Sequence, residues 1–493
     1  MQKTDYAAVE LARRNVANIA TKRNVNRAGV NLLGVAATVC GTTAAILSIP
    51  NDPLPAGALF WPALWLSIGF LTAPLLGLRD DTMSILRAEN LLMLGLIYWL
   101  LLDLLQGLYP LTEVSYDDIV FAFIGIGTFA GSIWVGMLGG GWRPPHVVVR
   151  AASQQFSTRQ LFSAVWLAFL LGIFWFAYSS SFDPSVMIDG LGRCRFCAPW
   201  STGAFGGAEA FLVNLRYFGY ILPTLTVLLA HQVGWLRAKT IVCAILSLVF
   251  VVFLAQEGGR RVIGVTGGAA LLSWMLLQQR IKLKFLIGGL FGVAVVLVAM
   301  EKMLEYRGSG FSAVGSTALE TGREEGIHVD DNFVRLAQII DLIPRVQPYT
   351  DLEPLTYFAT LPIPRFLWPG KPTGPGYNLT TLIGQKDVTI TTSIIGELYA
   401  MHGIVVILMG GFVFGRLANM WNKIVALPGA AKTLVYSLGV MVLFAGLRSM
   451  ADLVIMSYAL LAWLVVAKWM RGKRSAASFG TRPGLGHRTT TSQ

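Results

Sequence analysis

Twelve stretches of this chain stay apolar over nearly the length a helix needs to cross a bilayer, about 20 residues. They lie at 29–49, 57–78, 88–107, 118–138, 161–178, 208–230, 239–256, 262–278, 283–300, 394–414, 433–450 and 453–470. Runs of this kind lack both the alternation of a half-buried strand and the polar face of a soluble helix. A membrane-spanning segment must satisfy its own backbone, so the expected class is an all-α polytopic membrane protein. Composition agrees: 54% of residues are hydrophobic and 13% are charged, where a soluble domain carries about 25% charged residues. The first run follows a basic head of 28 residues. That leader is longer than a cleaved signal normally has, so the first helix reads as retained and as the targeting signal.

Orientation follows from lysine and arginine placement. With the N-terminus in the cytoplasm, the inner segments hold 25 of the 39 basic residues and only five acids, a net +20. The outer side then carries 14 basic and 22 acidic residues, a net −8. Both termini are expected in the cytoplasm of a cell with this protein in its inner membrane. The overall charge of +12 therefore describes no single surface. It argues for topology and for attraction to anionic membrane lipids, not for nucleic acid.

The expected organisation is a basic head (1–28), a nine-helix membrane region (29–300), a long outer loop (301–393), a three-helix membrane region (394–470) and a basic tail (471–493). In the long loop, Phe333, Leu336, Ala337, Ile340 and Ile343 recur at helical spacing. Asp330 or Asp331 is placed to cap this helix and Pro344 to stop it, and its apolar face is expected on the outer membrane surface. Four prolines between Leu361 and Pro372 exclude helix and predict a stiff, extended segment presenting Arg365, Trp368 and Lys371. A second outer loop contains Cys194 and Cys197, for which a local disulfide or free thiols are the simplest readings. Cys40 and Cys243 lie within spans and read as packing residues. No nucleotide-binding motif, metal-ligand cluster or internal repeat is present in the sequence.

Eleven of the 14 outer cations are arginine, whose planar fork matches phosphate oxygens in pairs. Arg216, Arg260, Arg261 and Arg448 fall at span ends, where ionisable residues tend to mark function. The Gly258-Gly259 pair before Arg260 permits unusual backbone angles, and the helix that follows offers its N-terminal dipole to an anion. Glu397 falls one turn into the tenth run, with Ile394 where a capping box would need Ser or Thr. Arg365, Arg448 and the arginines after the seventh run are its candidate partners.

These residues carry a resemblance. Gly258-Gly259-Arg260-Arg261, Asp331-Asn332-Phe333, Pro364 through Pro372 (PRFLWPGKP) and Ser393…Gly396-Glu397…Tyr399…Gly403 resemble the Wzy-type O-antigen and oligosaccharide repeat-unit polymerases. The motifs cover residues 257–403; the first half of the chain matches in hydropathy and topology. The resemblance implies a GT-C-like glycosyltransferase that joins lipid-linked repeat units on the periplasmic side. Donor and acceptor would both ride on undecaprenyl diphosphate, without nucleotide sugar, metal or other cofactor. Pre-placed cations would stabilise the departing diphosphate: Arg216, Arg260, Arg261, Arg365 and Arg448, with Arg335, Lys371 and Trp368 contributing to substrate binding. The attacking hydroxyl would need a base, for which Glu397, Asp331 and His328 are candidates in that order. Three other readings compete: an O-antigen ligase, a lipid-linked oligosaccharide flippase, and a non-enzymatic assembly partner. Whether the chain works alone or with a chain-length regulator stays open.

Overall fold

The computed structural model describes residues 27–479 apart from 109–110, 112–113, 202–208, 257–258, 279–282, 307–309, 312–325, 328, 366 and 386–389. All regular elements among them are helical. The principal helices are α1 (Arg27–Leu47), α2 (Phe60–Asp80), α3 (Ala88–Gln106), α4 (Tyr116–Met137), α5 (Thr158–Ser179), α6 (Val213–Val233) and α7 (Ala238–Gln256). They continue with α8 (Arg260–Leu276), α9 (Leu283–Tyr306), α10 (Asn332–Leu342), α11 (Ser393–His402), α12 (Ile404–Val425), α13 (Ala431–Gly446) and α14 (Met450–Phe479). Nine of them are long and apolar enough to cross a membrane: α1 to α7, α12 and α14. Apolar stretches in α8, α9 and α13 are shorter. Together these overlap the twelve apolar runs, of which nine correspond to helices of membrane length among the described residues.

One seam dominates the packing. Helices α4 and α12 meet through glycines, and Gly411 and Gly415 stand four residues apart on one face of α12. A Cβ built on Gly136 would lie 3.0 Å from the Gly415 Cα, and one on Gly415 would collide with the Ile133 carbonyl. In lipid there is little hydrophobic gain from pairing helices, so close backbone contact between small residues provides much of the attraction. At the end away from Arg448, a polar clasp ties three helices. Arg87 pairs with Glu89 at the start of α3, Asn422 of α12 donates to Glu89 Oε2 at 2.5 Å, and the Tyr436 hydroxyl of α13 donates to the Leu86 carbonyl at 2.7 Å. Every buried polar group in this clasp has a partner, as a low-dielectric interior requires.

The tenth apolar run does not form the single helix expected over 394–414. It breaks at Gly403, which has φ 66° and ψ −148°, a region open essentially to glycine alone. The break separates α11, which carries Glu397, from the membrane-length helix α12. The helix predicted near Asp330 is present as α10, and protein covers the apolar residues expected to lie on or dip into the membrane face. Phe333, Leu336, Ala337 and Ile340 pack into the main core, and Ile339 and Ile343 belong to a second small core with Leu379 and Ala400. With apolar residues on two faces, the helix is buried between the bundle and the segment that carries Leu379 and Ala400. Asp331 sits at its N-cap position without capping it and pairs with Arg335 instead.

The proline-rich segment also departs from expectation. Successive tight turns replace the extended strand, with the Leu361, Ile363, Leu367 and Lys371 amides all bonded three residues back. Cys194 and Cys197 form a disulfide. Its turn is held by Gln256 at the end of α7, which donates to the Arg193 and Cys194 carbonyls at 3.1 and 3.3 Å and accepts from the Trp200 indole at 2.7 Å. Cys243 is buried in packing, whereas Cys40 faces outward from α1.

Substituting Gly415→Leu should force α4 and α12 apart. Overpacking of this kind costs about 1–3 kcal/mol, and the loss should appear as a lower unfolding temperature in detergent. Leu408→Ala, an exposed position on the same helix, should leave that temperature unchanged.

Candidate functional site

A cluster of charge gathers where α8, α13, α14 and the approach to α10 meet. Asp452, in the first turn of α14, is completely buried. Its Oδ2 accepts from Arg448 Nη1 at 2.8 Å and its Oδ1 lies 2.7 Å from Arg261 Nη1. Arg448 Nε reaches Asp330 Oδ2 at 2.5 Å. Two guanidiniums thus meet two carboxylates in a balanced network. Arg261 is the more exposed cation, at 34% of its side chain against 16% for Arg448. Arg448 also stands 6.0 Å from the Trp99 ring centroid, within reach of a cation–π contact.

Glu397 completes the cluster from α11. It is 5% exposed, and its Oε2 accepts the Met450 amide at 2.6 Å. The short helix bearing it is held by the Ile394 amide, which donates to the Leu447 carbonyl at 3.1 Å. Burial pushes the Glu397 carboxyl up to about 8; the Met450 amide and Arg448 oppose the shift and Asp452 adds to it. The main cause is desolvation, and because Asp330 and Asp452 already match the two arginines, little attraction is left to offset it. Tyr377 lies close by, its hydroxyl 2.8 Å from Thr392 Oγ1, and burial together with Glu397 raises it above the usual phenol range.

A π-helical turn at Ile97–Leu101 in α3 forms the adjoining wall. The Trp99 carbonyl accepts from Asn332 Nδ2 at 3.1 Å, and Thr391 donates to Asn332 Oδ1 at 3.3 Å. Asp103, buried one turn further along α3, accepts the Val329 amide at 3.3 Å. These contacts fix residues 329–332 and so bring Asp330 to Arg448. Single π turns often occur at functional sites.

The sequence candidates divide accordingly. Arg261, Arg448 and Glu397 come together. Arg260 opens α8, but its side chain is outside the described part of the structure, as is His328. Arg216 is half-buried on α6, 5.4 Å from the Tyr217 ring, and Tyr217 packs on Tyr458 of α14. Asp331 and Arg335 pair with each other, and Arg335 also donates to Gln338 at 2.8 Å. Arg365 donates to the Pro372 carbonyl at 3.2 Å, and the Lys371 ammonium to the Leu361 and Ile363 carbonyls at 3.2 and 2.9 Å. Burial, then the neighbouring Arg365, holds Lys371 below the ordinary amine range. These two cations brace their own turns, while Trp368 is exposed. Asp330, Asn332, Asp103 and Tyr377 join the site without having been singled out as site residues from sequence. Hydropathy gave one signal for Asp103, an acid inside an apolar run; the others depend on tertiary folding.

Comparison with known protein families, with curated proteins and with solved structures finds no match to this chain.

The Glu397 shift has a stability consequence. In the unfolded chain the group titrates near about 4.3, so its favourable contribution is full below that pH and is lost as pH rises through about 8. Glu397→Gln should therefore unfold at a higher temperature than the parent at pH 9, while the two should coincide at pH 4. Equal unfolding temperatures at both pH values would contradict the buried, proton-holding carboxyl.

Proposed function

We propose that this protein is a membrane glycosyltransferase that polymerises oligosaccharide repeat units carried on undecaprenyl diphosphate, at the outer face of a bacterial inner membrane. The observation that carries this reading is the Arg261–Asp452–Arg448 network with Glu397 beside it, at a bundle end rather than at its midplane. The resemblance of residues 257–403 to the Wzy-type polymerases supports the same reading. The twelve-span topology, a GT-C-like arrangement and cytoplasmic termini belong to it.

The acceptor sugar hydroxyl attacks the anomeric carbon of the donor glycan. The new C–O bond forms as the bond to the lipid diphosphate breaks, and the diphosphate leaves with the electron pair. Arg261, the accessible cation, stabilises that growing charge, and Arg448 supports it from behind through the shared Asp452. The hydroxyl proton passes to the Glu397 carboxylate. Asp330 and Asp452 keep the two guanidiniums apart from each other's charge and fixed in direction, so little reorganisation remains for the reaction itself.

Purified protein incubated with lipid-linked repeat units should yield a ladder of polymer lengths without added nucleotide sugar. Arg261→Ala and Glu397→Gln should each slow ladder formation about a hundredfold or more while leaving the protein folded. Because Glu397 must be ionised to accept a proton, the parental rate should rise with pH through about 8. Transfer of intact chains to a lipid A core acceptor without a ladder would favour a ligase. Movement of lipid-linked units across vesicles without bond formation would favour a flippase.

A further inference from the structure

The opposite end of the molecule carries a second feature, independent of the polymerase reading. Thr158, Val233, Arg237, Ala238 and Lys239 line a cleft of about 440 Å³ at the start of α7. The turn that carries its lining residues is stitched: the Gly234 amide donates to the Ala230 carbonyl, and the Thr240 hydroxyl donates back to the Gly234 carbonyl at 2.9 Å. Neither Arg237 nor Lys239 has an ion-pair partner among the described residues. The sequence explains this, because residues 143–182 and 210–256 contain no Asp or Glu at all. Those two segments supply the three helices that surround the cleft.

The surface next to the cleft is apolar. Ile241, Ile245 and Leu248 follow Arg237 at steps of four, four and three residues, one face of a helix, and all three are exposed. Trp235 and Leu236 are exposed beside them. Two unmatched cations thus stand directly above an apolar stripe that runs about 10 Å along the helix, enough for the headgroup-proximal part of an acyl chain. A free phosphate would use the first half of this surface only; a phospholipid uses both.

We propose that this cleft binds the headgroup of an acidic phospholipid, with the phosphodiester between Arg237 and Lys239 and an acyl chain along Ile241, Ile245 and Leu248. A zwitterionic lipid brings its own ammonium and so offsets neither protein cation in net charge, whereas an anionic lipid offsets one, so the site selects a headgroup without an ammonium.

Native mass spectrometry of the full-length protein, titrated with phosphatidylglycerol or phosphatidylcholine, tests this. Phosphatidylglycerol should bind more tightly. R237Q/K239Q should weaken it roughly thirtyfold, as expected for the loss of two cations facing an anionic lipid, with phosphatidylcholine binding unchanged. The charge-keeping swap R237K/K239R should retain most of the binding, and Lys432→Gln, which removes a cation elsewhere, should retain all of it. Equal binding of the two lipids, an unaffected R237Q/K239Q, an equal loss in Lys432→Gln, or displacement of phosphatidylglycerol by equimolar inorganic phosphate would each overturn the proposal. If R237Q/K239Q fails to fold, the wild-type lipid preference and its resistance to phosphate decide the matter without it.

Discussion

Asp452 holds a negative charge where no water reaches, and much of the surrounding architecture answers that cost. An uncompensated buried carboxylate is destabilising by several kcal/mol. One arginine, Arg448, sits a helical turn earlier in the same hairpin, and a second, Arg261, comes from α8. Two cations would then overshoot, and Asp330 restores balance. Asp330 is in place only because Asp103 and Trp99 of α3 secure the backbone and side chain on either side of it. One buried charge therefore links α3, the approach to α10 and the last hairpin. It also accounts for Glu397, a third acid that has only an amide and a proton to satisfy it.

Hydropathy alone located the membrane helices well, because a span must satisfy its own backbone and cannot hide its apolar length. The choice of arginine over lysine on the outer side pointed to Arg261 and Arg448 for the same local reason: charge at a span end is expensive. What sequence could not resolve was pairing at a distance. Asp330 and Arg448 are separated by 118 positions, and nothing in either neighbourhood names the other. Helix breaks were equally hidden. The run over 394–414 is continuous in hydropathy, and only the backbone angles at Gly403 divide it. The amphipathic pattern near Asp330 was legible as a helix, but what covers it was not: Ile339 and Ile343 pack with Leu379 and Ala400, which are distant in sequence.

The long segment between α10 and α11 shows how the same residue types serve structure when their partners are backbone. Arg365 and Lys371 looked equivalent to Arg261 in composition and side. Their donors are directed into neighbouring carbonyls of a proline-rich turn that lacks amides to satisfy those carbonyls itself. Proline removes donors as well as flexibility, and a nearby cation is one way to replace them. The difference between a bracing cation and an available one is thus set by how many backbone acceptors lie unclaimed around it.

The order in which the cluster's members occur along the chain has a consequence for biosynthesis. Trp99, Asp103, Arg261, Asp330 and Glu397 all precede the residues that join them, and Arg448 and Asp452 are supplied only by the final hairpin. Until α13 and α14 are inserted, Arg261 and Asp330 lack the Asp452–Arg448 pair that links them, and the α11 carboxyl lacks the Met450 amide. A chain that lacks α13 and α14 is therefore without the assembled cluster however much of the preceding membrane region has been laid down, and the cluster closes only when that hairpin is in place.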